Sequence, residues 1–125
     1  MSVIRLILVE DEPLWQQAIA ALLESESQLA LLATVDNAAD ALSAIKDHDP
    51  QVLLLDWKIK GAVDGLELAN MLIPGYEPSQ IIMITGSPAE QLGQHPFRYV
   101  PKPSIAEALV PEIQKAVAEL DTLPE

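Results

Sequence analysis

Leu6-Ile7-Leu8-Val9-Glu10-Asp11-Glu12-Pro13 is the stretch on which the reading of this chain turns. It closes an apolar run that starts at Val3 and is broken only by Arg5, and it ends on three acids and a proline. A run this apolar, without polar alternation, is a strand covered on both faces. Pro13 suits the first turn of a helix, and residues up to Glu24 keep a helical period, with Leu14, Ala18, Ile19, Leu22 and Leu23 on one face. The unit is therefore strand, acidic turn, helix.

Outward from this stretch the unit repeats. Leu29 to Val35 reads as a second strand, and Asp36 or Asn37 caps a helix reaching about Asp47 with Ala38, Ala41, Leu42 and Ile45 as its apolar stripe. Gln51 to Leu55 is a third strand; a loop and a helix from Gly65 to Leu72 follow, stopped by Pro74-Gly75. Gln80 to Ile84 and the weaker Phe97 to Val100 are the fourth and fifth strands. A last helix covers 104–120, with Leu109, Ile113, Val117 and Leu120 facing inward. Pro111 lies inside that pattern, where it removes a bond to the carbonyl of Glu107. A kink in a continuous helix is expected, in preference to a helix that begins at about Val110. Strands alternating with helices specify an α/β fold, a doubly wound five-stranded parallel sheet with helices on both faces. A (β/α)8 barrel needs about twice this length.

The chain has 125 residues, enough for one domain spanning 1–125 with a real core. Its net charge of −12 argues against direct binding to nucleic acid or to an anionic membrane. No cysteine is present, so disulfides, thiol catalysis and thiolate metal sites are excluded. The opening apolar run is too short and too acidic at its end for a signal peptide, and no run approaches membrane-spanning length. A cytoplasmic location is expected.

Ligands of an open parallel sheet bind beyond the carboxyl ends of its strands. There stand Glu10, Asp11 and Glu12 after strand one, Asp56 after strand three, Thr85 after strand four and Lys102 after strand five. Two carboxylates 4 Å apart repel by ~4 kcal/mol at an effective dielectric of 20, against ~1 kcal/mol in water. Such a cluster either protonates or recruits a cation, and a hard divalent ion such as Mg²⁺ meets that need. With Lys102 and Thr85 the rim holds what phosphoryl transfer requires.

Leu8-Val9-Glu10-Asp11-Glu12-Pro13, Leu53-Leu54-Leu55-Asp56, Ile84-Thr85-Gly86 and Tyr99-Val100-Pro101-Lys102-Pro103 together resemble the receiver domain of two-component response regulators, in order and over essentially the whole chain. The resemblance implies strand order 2-1-3-4-5. It implies that Asp56 accepts a phosphoryl group from a phosphohistidine of a sensor kinase or histidine phosphotransfer protein. It implies Mg²⁺ held directly by Asp11 and Asp56, through water by Glu10, and by the backbone carbonyl of Lys58. Thr85 matches the switch hydroxyl, Tyr99 the switch aromatic and Lys102 the lysine that pairs with the phosphoryl oxygens. A cis peptide between Lys102 and Pro103 is also implied. On this reading the domain is a signalling switch with self-catalysed phosphorylation and slow autodephosphorylation, not a metabolic enzyme. It is either a stand-alone relay or a receiver cut from a longer regulator whose effector domain or protein it controls.

The sequence departs from the family in two places. Lys60 replaces a proline, and one extra residue precedes Asp64-Gly65; only sixteen residues separate Thr85 from Lys102, so the fourth helix is expected to be short or irregular. Glu12 reads as charge on the first helical turn. Trp15 reads either as packing or as part of a docking face, and Trp57 either shields the site or is buried under the loop. His48 and His95 read as solvated loop residues, Ser87 and Ser104 as helix caps. Rival functions are a Mg²⁺-dependent phosphatase of the haloacid dehalogenase type, a flavin module, and a receiver-like binding module that is never phosphorylated. The first wants a second Asp where Pro13 stands; the second wants a phosphate loop where three acids stand.

Overall fold

In the computed structural model, which describes residues 3–86 and 96–122, the opening run forms β1 (Ile4–Val9) and Pro13 starts α1 (Pro13–Glu24). Then come β2 (Leu29–Val35), α2 (Ala38–His48), β3 (Val52–Asp56), α3 (Gly65–Leu72), β4 (Ile81–Thr85), β5 (Arg98–Pro101) and α4 (Ile105–Thr122). The five strands are parallel in the order β2-β1-β3-β4-β5, as the resemblance implies. Boundaries shift by a residue or two: Gln80 belongs to a short 3-10 turn, and His48 ends α2. Residues 87–95, with Ser87, His95 and the expected fourth helix, lie outside the described residues.

Strand side chains alternate between two cores, as the period of two requires. Ile7, Val9, Leu53, Leu55, Ile81 and Met83 face α2 and α3. Leu6, Leu8, Leu54, Ile82, Ile84 and Val100 face α1 and α4. Because every strand except the edges is covered on both sides, the apolar runs carry no polar alternation.

The helix stripes need correction. On α1, Leu14 is 80% exposed and Ala18 is exposed as well; Ile19, Leu22 and Leu23 pack inward as expected, joined by Trp15. Each helical residue turns about 100°, so Leu14 falls a full step from the line Trp15–Ile19–Leu23. On α2, Leu42 is exposed, while Ala38 and Ala41 are buried as expected and Ala44 joins them, which lets the helix sit close to the sheet. Asn37 caps α2 by accepting from the Asp40 N–H. Helix α4 is continuous through Pro111 and does not begin at Val110. Pro111 and Glu107 are both exposed, so the carbonyl that loses its partner faces water. No cis peptide occurs among the described residues, against the expectation for Lys102-Pro103. Pro103 instead lies in a 3-10 turn, Lys102–Ser104, that runs directly into α4, where a proline in the first turn loses no bond.

Candidate phosphoryl-transfer site

Strand register assembles the site. Val9 pairs with Leu55, so one step further along the two strands Glu10 and Asp56 lie side by side. Thr85 ends β4 opposite Pro101, and Lys102 follows directly. This is the point where the chain reverses the direction in which it adds strands, between β1 and β3. Glu10 is 0% exposed, Thr85 2% and Asp56 5%: three polar side chains buried as deeply as the core beneath them.

Burying charge without compensation is costly, and the neighbours show how it is met. The Lys102 ammonium lies 2.9 Å from Glu10 Oε1 and 3.2 Å from Asp56 Oδ2. The contact to Glu10 is an ion pair only, since Oε1 has no aligned hydrogen bond. Glu10 Oε2 accepts from the Glu12 N–H at 3.0 Å, and Asp56 Oδ1 accepts from the Lys58 N–H at 3.3 Å. Gln16 on α1 donates to the Glu10 carbonyl at 2.7 Å and so ties the helix to the acidic turn.

Ligand-capable oxygens of Glu10, Asp11 and Asp56 all lie within 4.8 Å of one another. Three carboxylates against one ammonium leave two negative charges uncompensated, which a divalent cation with oxygen preference would balance. Burial drives the Asp56 carboxyl from its ordinary 3.8 up to about 7, reinforced by the neighbouring Glu10 carboxyl and opposed by Lys102 and the Lys58 N–H. Burial works against the charge of Lys102, but Glu10 and Asp56 outweigh it and its pKa is raised.

A cleft of about 670 Å³ opens above Asp56, lined also by Asp11, Trp15, Lys58, Thr85 and Lys102. Most of the sequence-derived set is thus brought together. Tyr99 is not in the lining: it is half-buried on the edge strand, in register with Met83. Glu12 caps α1 through its backbone position, makes no side-chain cap and is absent from the carboxylate cluster. Trp57 is half-buried against the α2–α3 core, the packing alternative for that residue.

Sequence reasoning passed over the site roles of two contributors, Gly65 and Gln16, and left a third, Trp15, open. Gly65 begins α3 so close to the end of β3 that a Cβ there would stand 1.9 Å from the Asp56 carbonyl oxygen. Gln16 carried no signal at all. Trp15 was open between two roles and takes neither alone, because its ring lies 5.0 Å from the Lys102 Nζ. The loop after β3 reaches across β1: Lys60 bridges to Asn37, and its ammonium pairs with Asp36 at 3.2 Å.

A family profile described as the response regulator receiver domain matches residues 6–114. The chain belongs to that family. As a receiver domain it is a component of two-component signalling. It is 30% identical over 120 residues to the transcriptional regulatory protein BtsR of Escherichia coli K12, covering 94% of this chain and 48% of BtsR. It is 30% identical over 89 residues to a protein-glutamate methylesterase/protein-glutamine glutaminase of Nitrosospira multiformis, covering 70% of this chain and 24% of that one. The receiver domain therefore spans about half or less of these curated relatives. The signal receiver domain of a modulated diguanylate cyclase from Desulfovibrio desulfuricans G20 superposes with a TM-score of 0.82 at 29% identity, covering 96% of this chain and 98% of that one. The PhyR receiver domain of Erythrobacter litoralis shares the fold at a TM-score of 0.82 and 22% identity, over 100% of this chain and 97% of that one. The phosphatase and flavin readings are set aside.

Proposed function

We propose that residues 1–125 are one receiver domain in which Asp56 takes a phosphoryl group from a phosphohistidine of a sensor kinase or histidine phosphotransfer protein. One observation carries the reading: Asp56 sits buried on the floor of the cleft with the Lys102 ammonium 3.2 Å from Oδ2 and a carboxylate cluster beside it. An Asp56 carboxylate oxygen attacks phosphorus, the P–N bond to the donor imidazole breaks, and the imidazole leaves with its electron pair. Lys102 turns from the carboxylates to the incoming phosphoryl oxygens, and Thr85 bonds one of them, drawing the β4 end toward Asp56. Tyr99 follows that movement from the edge strand.

Glu10, Asp11 and Asp56, with the Lys58 carbonyl, would hold Mg²⁺. Bound there, Mg²⁺ neutralises charge on the phosphoryl oxygens and the carboxylates. Hydrolysis of the acyl phosphate by water regenerates Asp56 slowly, so the domain is a switch and not a turnover enzyme. The phosphorylated face then engages an effector domain or protein, the reading that the transcriptional relatives favour. Donor and domain meet in the cytoplasm, and among the described residues no helix is long and apolar enough to cross a membrane.

Incubation with phosphoramidate, which carries the same P–N bond, and Mg²⁺ tests this by intact mass. One phosphoryl group should be added to the wild type and none to Asp56→Asn. A wild type without label under saturating donor would contradict the proposal.

A further inference from the structure

The Lys102 ammonium contacts two carboxylates and also lies over the face of Trp15, 5.0 Å from the ring centroid. Trp15 is held in turn: it sits in the first turn of α1, packs against the α1–α4 core, and its helix is tied to the acidic turn by the Gln16 side chain. The same indole lines the cleft above Asp56. We infer that Trp15 is a positioning residue for phosphoryl transfer, fixing the Lys102 ammonium beside Asp56 by a cation–π contact. This rests on the reading that Asp56 is phosphorylated.

The physical reason lies in what lysine lacks. Its ammonium is a point charge on a flexible four-carbon stem, with no planar fork to set its direction. Two carboxylates alone let it swing between them or toward water. An aromatic face attracts the cation without offering an acceptor that competes with the phosphoryl oxygens. The indole therefore restrains Nζ yet leaves all three N–H donors for Glu10, Asp56 and the arriving group. An aliphatic side chain at position 15 supplies the wall but not the attraction.

Two measurements test this. In protein carrying ¹³C at lysine Cε, the signal that disappears in Lys102→Arg is that of Lys102. Its ε-protons should be shifted upfield by the aromatic ring at position 15 in wild type and in Trp15→Phe, and return to the ordinary lysine position in Trp15→Leu. With phosphoramidate and Mg²⁺, Trp15→Leu should slow the labelling rate constant about tenfold, the scale of one desolvated cation–π contact, at an unchanged half-saturating donor concentration. Trp15→Phe should restore most of that rate. In a Lys102→Gln background the Trp15→Leu change should have almost no further effect. Should Trp15→Leu fail to fold, Trp15→Met keeps an apolar wall without the ring. Identical Lys102 shifts in wild type and Trp15→Leu would overturn the inference, and so would an equal slowing with and without Lys102. A wild type that takes no label sinks the phosphorylation reading instead, and the lysine shifts then decide alone whether Trp15 holds the ammonium.

Discussion

The middle of the sheet and its carboxyl rim are buried to the same degree and held by opposite forces. Leu54 and Leu55 in β3 are fully enclosed, and so, within a few per cent, is the next residue, Asp56. For the leucines, enclosure is the source of stability: each removes a side chain from water, worth roughly 1.5–3 kcal/mol. For Asp56 and Glu10 the same enclosure is a penalty, only part of which Lys102 returns. A strand can thus carry stability up to its penultimate residue and chemistry on its last. The core behind the rim is large enough to offset that penalty.

Mutation at two nearby positions of β3 breaks or sharpens this contrast most strongly. Leu54→Ala should lose about 2–5 kcal/mol of unfolding free energy, through lost transfer and the cavity left behind. Asp56→Asn, two residues on, should gain stability at pH 8 without Mg²⁺, since it removes a disfavoured charge. Urea unfolding measures both; a loss in each would erase the distinction between core and rim.

Metal linkage comes next. If the rim lacks a cation's charge, Mg²⁺ should raise the thermal midpoint, by the equivalent of about 2.7 kcal/mol at a hundredfold excess over its dissociation constant. Asp11→Ala should abolish most of that rise and Glu12→Ala little of it, because only Asp11 belongs to the cluster. Equal effects would mean the acids are wrongly assigned.

A pH titration of the Mg²⁺-free protein separates the two regions further. Asp56 is raised from 3.8 to about 7, so between those values the folded state binds the proton that the unfolded state has released. The stability associated with that proton is complete below pH 3.8 and lost as pH climbs through about 7. Asp56→Asn should flatten this fall, and Leu54→Ala should lower the whole curve without changing its slope. A wild type indifferent to pH over this range would refute the penalty assigned to Asp56.

The smallest effect belongs to the exposed ion pair Lys60–Asp36. Asn37 and Lys60 together hold the Asp36 carboxyl below its ordinary value, so the contribution persists above that value and disappears only as the solution becomes strongly acidic. Lys60→Ala should cost barely measurable stability at neutral pH and none at 1 M salt. A large loss would show that this loop crossing is a structural strut.

The sequence made the sheet legible because buried parallel strands are written as unbroken apolar runs: β1, β3 and β4 were found within one or two residues. It also showed Glu10, Asp11, Asp56, Thr85 and Lys102, because each stands immediately after such a run. Helix faces were harder. Ranking by hydrophobicity chose Leu14 and Leu42, whereas close packing on the sheet selected Trp15 on α1 and Ala44 on α2. Gly65 and Trp15 escaped for a different reason. Their roles depend on approach distances between elements far apart in the chain, a carbonyl oxygen in one case and an ammonium in the other, and no local pattern encodes these.

Phosphoryl localisation tests the central claim most directly. Protein labelled with phosphoramidate and Mg²⁺ is treated with borohydride, which reduces the acyl phosphate, then digested, and the altered residue is read by peptide mass spectrometry. Modification at Asp56 alone, abolished when EDTA replaces Mg²⁺, is the predicted result. Modification at Asp11 or Glu12, or labelling at Asp56 indifferent to EDTA, would contradict it.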